Sequence, residues 1–194
     1  MAHICHREVL LRASPSGNAT VSYVETPWTR LASRAMRSLL VRKGATYETA
    51  ADCLRELGVE ASTRSVEGKA TRGTYSFAFF LQVLEALRVD RPKQWDEILN
   101  AYAGAEEQAA HIVLHELRRQ RLTSNKAAKY LASVGASVAP DAFVAQVESG
   151  TFQFSLVLQL SSAVPIEGLE RYVDHSDVLA AAADAKLEQV TGLR

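Results

Sequence analysis

The chain has 194 residues, 47% of them hydrophobic, with 22 basic and 22 acidic side chains and a formal net charge of zero. That balance excludes a supercharged surface and a long polybasic tail, and no run approaches the ~18 apolar residues of a membrane span. Cys5 and Cys53 are too few for a disulfide framework, and the first residues lack a signal-peptide profile, so the expectation is a reduced, cytoplasmic protein. In chain order, residues 6–13 and 18–25 flank a Ser-Pro-Ser-Gly-Asn turn and alternate with period two, which predicts a β-hairpin in an N-terminal extension, 1–27. A lone hairpin cannot bury its apolar face, so it should lean on the body or pair with a second chain.

The next segments read as helices. Thr29 is placed to cap a first helix carrying Leu31, Ala35, Met36, Leu39 and Leu40, with Gly44 at its end. Thr46 caps a second, with Ala50, Leu54 and Leu57, closing at Gly58. Ser62 caps a short third helix that stops at Gly73, and Ser76 caps a fourth carrying Phe77, Phe80, Leu81 and Leu84. Residues 95–102 suggest a linking fifth helix; four more are expected near 107–121, 124–134, 140–149 and 153–163, and an alanine-rich helix at about 176–190.

This order repeats itself. Residues 34–87 align without a gap to 111–164 at an offset of 77, with 13 identities in 54 pairs. They include Ala50 and Ala51 with Ala127 and Ala128, Gly58 with Gly135, Gly73 with Gly150, and Phe77 with Phe154. The period is too long for a solenoid and reads as a duplicated small domain: copy one at 28–104 with the linker helix, copy two at 105–175, and a closing helix at 176–194.

The copies differ in charge. Residues 28–75 hold 9 basic against 5 acidic groups, whereas 105–152 hold 5 against 5. The first helix of copy one carries Arg30, Arg34, Arg37, Arg42 and Lys43. Its third helix offers Ser62, Thr63, Arg64, Lys69 and Arg72 on a polar side opposite Val66 and Ala70, and Gly68 leaves room for close approach. In the third helix of copy two, Asp141, Gln146 and Ser149 replace Arg64, Lys69 and Arg72, and Glu148 adds a second negative charge. Basic groups that displace counterions, with donors near base edges, are what duplex DNA requires; an acidic helix is repelled by phosphate.

Residues 46–59, TYETAADCLRELGV, with a small pair mid-helix and a Leu-Gly-Val turn, resemble the first half of the lambda-repressor-like, xenobiotic-response-element type of helix-turn-helix. KATRGT at 69–74 resembles the end of that family's recognition helix, and YSFAFFLQ at 75–82 resembles an uncharacterised bacterial branch with a Phe-Leu-Gln signature. The resemblance extends over about 28–90 and, more loosely, 105–165. It departs from the family where a phosphate-contacting glutamine usually opens helix two: here Tyr47 and Ser124 stand, both able to donate to phosphate.

The resemblance, taken with the repeat, implies a mainly α fold of two tandem lambda-repressor-like helix-turn-helix domains, preceded by the short N-terminal β-hairpin that the alternation predicts. It also implies double-stranded DNA as partner and bacterial transcription regulation as the function. Arg37, Arg42, Lys43, Tyr47, Ser62, Thr63, Arg64, Gly68, Lys69 and Arg72 are the candidate DNA contacts. Copy two is expected to be structural or to dimerise, with a homo-oligomer or protein partner held through it or through the hairpin, away from any membrane. A protein-interaction module, antitoxin-like, adaptor or phage-related, that kept the fold without DNA binding is the alternative, favoured by the zero net charge and the acidic second half. His3, Cys5 and His6, and His111 with His115 one helical turn away, lack the partners of a metal site. No phosphate loop or nucleophile elbow is present, and neither an enzyme nor a cofactor is expected.

Overall fold

The structure, a computed structural model, describes residues 25–133 and 138–192. The expected hairpin, the His3–Cys5–His6 group and Gly135 lie outside these residues. Among the described residues the chain is mainly α, with ten α-helices: α1 Pro27–Arg42, α2 Tyr47–Glu56, α3 Thr63–Arg72, α4 Phe77–Ala86, α5 Lys93–Ala101, α6 Ala105–Arg119, α7 Ser124–Ser133, α8 Pro140–Ser149, α9 Phe154–Ser161 and α10 His175–Thr191. None of them is long and apolar enough to cross a membrane.

Local chemistry explains most boundaries. Thr46, Ser62 and Ser76 each accept a backbone N–H three residues on, at 3.1–3.2 Å, and so cap α2, α3 and α4 as their spacing predicts. The start of α1 differs from expectation. Thr26 is the cap and Thr29 the third helical residue; Thr29 N–H donates to the Thr26 hydroxyl at 3.1 Å and Thr26 N–H to the Thr29 hydroxyl at 2.9 Å. This reciprocal box, with Pro27 in the first turn, satisfies two orphan donors and starts the helix three residues early.

The 77-residue offset persists in three dimensions. Shifted by 77, the bounds of α2 and α3 coincide with those of α7 and α8, and α1 and α4 land on α6 and α9 to within two residues. Gly73 and Gly150 both end their helices at positive φ, 64° and 71°. A Cβ on Gly73 would overlap the carbonyl oxygen of Thr29, and one on Gly150 that of Glu106, itself 77 residues from Thr29. Gly44 and Arg121 likewise share a left-handed turn, at φ 60° and 56°.

Within each copy the second and third helices pack together, the first packs on the third, and the second packs on the fourth. Between the copies the packing is exchanged: α1 lies on α9, and α6 lies on α4. The junction is closed by backbone as well. Phe77 N–H donates to the Phe152 carbonyl at 3.0 Å, and Phe154 N–H to the Tyr75 carbonyl at 2.9 Å, an antiparallel bridge that sets Ser76 opposite Gln153. Aromatic rings fill the space around it. Phe80 stacks on Phe154 at 4.4 Å between centroids, Tyr75 on Phe154 at 5.6 Å, and Trp95 of α5 meets Phe77 edge-on at 5.7 Å. One buried apolar cluster therefore runs through both copies. Glu116 brings a charge into this interior: it takes the place of Leu39, is buried, and accepts the Arg119 guanidinium at 3.1 Å.

Helix α10 packs on α1 and α9 through Val178, Ala181 and Ala185. Arg30–Glu188 at 3.1 Å and Arg34–Asp177 at 3.7 Å run alongside that contact. Both pairs are solvent-exposed, so they fix orientation more than they add stability.

Candidate nucleic-acid interface

Helix α3 owes its position to two small buried residues. Val66 and Ala70 face the core, Ser33 of α1 donates to the Thr71 carbonyl at 3.0 Å, and Gly73 lets the helix end press against the first turn of α1. The opposite face is open. Ser62, Arg64, Ser65, Glu67, Gly68, Thr71 and Arg72 line a shallow depression of about 570 Å³. Ser62, Thr63 and Arg64, all exposed, occupy the N-terminal end, where a groove-reading helix presents its base contacts.

Two side chains depart from the simple polar-face picture. Lys69 is half-buried, and its ammonium sits 4.2 Å from the centroid of Phe79, a cation–π contact across the α3–α4 joint. The Arg72 guanidinium folds back over Gly68, coming within 3.0 Å of where a Cβ would stand. The absent side chain at 68 thus makes room for Arg72 in this structure and leaves the depression open. Arg72 also lies at the helix C-terminus, where a cation complements the helix dipole.

The basic residues of α1 do not join this face. Arg30 and Arg34 turn toward α10, as described. Arg42 donates to the Arg171 carbonyl at 2.9 Å, and Lys43 to the Arg88 carbonyl at 3.0 Å. Arg37 is exposed on the outer side of α1, along an open surface shared with Arg34, Ser38, Val41 and Arg42. Thr29 and Ser33 touch the end of α3, whereas Arg42 is nine residues further along, about 13 Å at the helical rise. Nine of the ten candidates therefore fall into two groups. Ser62, Thr63, Arg64, Gly68, Lys69 and Arg72 stand together on α3; Arg37, Arg42 and Lys43 belong to the outer face and far end of α1. Tyr47 is half-buried at the start of α2, packed against the core.

Beside the far end of α1 stand four cations that sequence reasoning passed over, Arg88, Arg91, Lys93 and Arg171. Arg42, Lys43, Val89, Asp90 and Arg171 share one depression, and Arg88, Arg91, Lys93 and Arg171 line its neighbour. Arg91 pairs with Asp96 at 3.6 Å. Tyr172 donates to the Asp90 carbonyl at 3.1 Å, and burial pushes its hydroxyl up to about 12 despite the lowering influence of Arg171, Arg42 and Arg91. The dense run Arg88-Val-Asp-Arg-Pro-Lys93 was the available signal; Arg171, far along the chain, gave none.

The equivalent surface of copy two is acidic. Asp141, Glu148 and Ser149 are exposed on α8, and no basic residue lies on that helix. Ser149 spends its hydroxyl on the Gln146 carbonyl at 3.2 Å and on Thr151 at 2.7 Å. Ala139 supplies no side-chain cap where Ser62 caps α3.

Residues 28–92, from α1 through the turn after α4, match a family described as a domain of unknown function, DUF6471; they make up about a third of the chain. No curated protein and no solved structure matches.

Proposed function

We propose that this protein binds double-stranded DNA through copy one, as a bacterial transcription regulator built from two tandem helix-turn-helix domains of the lambda-repressor-like kind. Copy two acts as the in-chain structural partner of copy one. The observation that carries the reading is the charge contrast between two helices in equivalent settings. α3 bears Arg64, Lys69 and Arg72 against Glu67; α8 bears Asp141 and Glu148 and no cation. Both helices bury two apolar residues, and both end on a left-handed glycine pressed to the first helix of their own copy. The scaffold is shared and the outward chemistry is opposed, which favours a ligand-directed role for the α3 face. Ser62, Thr63 and Arg64 would reach base edges and Arg72 a phosphate; Arg42, Lys43 and Arg37 would meet flanking phosphate away from the reading helix.

Titration of fluorescent duplex at two salt concentrations tests this. The Arg64→Ala, Arg72→Ala double variant should weaken binding by about 1–3 kcal/mol or more and flatten the salt dependence. Asp141→Ala with Ser149→Ala should do neither. Arg64 and Arg72 serve better than Lys69, whose replacement would also remove the contact with Phe79.

A protein-interaction module is the second reading, and one observation favours it. Leu179, Leu187 and Val190 of α10 are 50%, 63% and 86% exposed and, spaced eight and three residues apart, share one side of that helix. A wild-type chain that binds no duplex at low salt leaves this reading in place of the first.

A further inference from the structure

The contacts between the copies have a property that ordinary domain contacts lack: they map onto themselves when the partners are exchanged. Adding 77 to one partner and removing it from the other turns the Phe77-to-Phe152 hydrogen bond into the Phe154-to-Tyr75 bond, and the lengths agree, 3.0 and 2.9 Å. Ser76 stands opposite Gln153, its own equivalent. The contact of α1 with α9 becomes the contact of α6 with α4. Contacts that obey this rule are what a two-fold axis generates, and an interface of this kind is self-complementary and closed. Its axis passes by the Ser76–Gln153 bridge.

We propose that copy two stands where a second protomer of copy one would stand, so that a single chain is a closed dimer in itself and meets DNA with one reading helix, on a target without an inverted repeat. The DNA half of this proposal rests on the function proposed for α3. A symmetric dimer offers two equal readers, and its operators mirror that symmetry. Here the second reader carries Asp141 in the place of Arg64, Gln146 in the place of Lys69 and Ser149 in the place of Arg72. Its surface repels the phosphates that the first attracts, so only one half-site can be engaged.

Two measurements on the full chain separate the halves of the proposal. In the first, a protease site is inserted at Ala103, exposed between α5 and α6, and the chain is cut after folding. Light scattering should find the intact chain at its monomer mass of 21.2 kDa and the cut halves still together at that mass. Halves that separate, or an intact chain of twice the mass, overturn the closed dimer. In the second, the intact chain selects sites from a random duplex pool. Enriched sites should be non-palindromic and bind one chain each, with affinity lowered about tenfold or more by Arg64→Ala with Arg72→Ala and changed less than about twofold by Gln146→Ala with Ser149→Ala. Enriched inverted repeats, or two chains per site, overturn the single reader. A pool that shows no enrichment removes the DNA half and the function it rests on, while the cut-chain result alone then upholds or overturns the closed dimer.

Discussion

Among the described residues, Tyr75 and Tyr172 carry hydroxyls that burial perturbs. Tyr75 is fully enclosed and donates to the Ala32 carbonyl at 2.7 Å; its hydroxyl is held neutral well beyond its ordinary range because the phenolate would be stripped of water. Tyr172 is pushed up to about 12 for the same main reason. Above about pH 10 the unfolded chain releases both protons while the folded chain keeps them. The native state then binds more protons than the unfolded one, so stability, complete below that pH, falls as pH rises toward 12. Urea midpoints measured from about pH 8 to about pH 11 should show this decline, and Tyr75→Phe should make it shallower. Phenylalanine is the natural choice, since Phe152 fills the equivalent place in copy two. A decline unchanged in Tyr75→Phe would assign the alkaline sensitivity elsewhere.

Helix crossings set the next scale. The first and third helices of each copy meet where a glycine at positive φ touches a backbone carbonyl, so the joint has no room for a methyl group. Gly73→Ala should cost more than about 3 kcal/mol, because strain adds to an overlap that only backbone movement can relieve. Gly44→Ala, at a similar φ of 60° but with nothing within 4 Å of the added carbon, should cost only about 1–2 kcal/mol. Urea unfolding of the two variants measures the difference, and equal losses would mean that the crossing gives way easily. Much of this scale was legible in the sequence. Thr46, Ser62 and Ser76 announce helix starts because a hydroxyl cap acts over three residues. Thr26 was missed because two threonines share that box and either could have been the cap. Side-chain partners were not legible. Lys69 meets a ring ten residues away, and Arg42 a carbonyl 129 residues away, distances at which helical period says nothing. Of the five positive charges counted at α1, four lean on α10 or on backbone carbonyls, partners that the count did not show.

At the scale of the whole molecule, the 77-residue correspondence of the helices was legible and the exchange of packing partners was not. A repeat shows that two units are alike; it does not tell which unit a helix packs against. With α1 on α9 and α6 on α4, each copy buries its first and fourth helices against the other. The chain should therefore unfold in a single step. Fluorescence reports Trp28 and Trp95, both outside copy two's helices, whereas circular dichroism reports all ten described helices. The two signals should share one urea midpoint, and separated midpoints would show copies that fold on their own. The zero net charge belongs to this scale as well. It describes the sum of two unlike halves, one of +3 and one of −3, and not the surface that any one partner meets.

The Ser76–Gln153 bridge has a consequence for inheritance. Where two identical chains meet on an axis, any change in the gene is made twice, and a residue on the axis always faces its own image. Here the two sides are written separately, which is why a serine can face a glutamine. The same freedom reaches the outer helices. One third helix can carry no cation while the other carries three, a difference open to two halves encoded separately and closed to identical subunits.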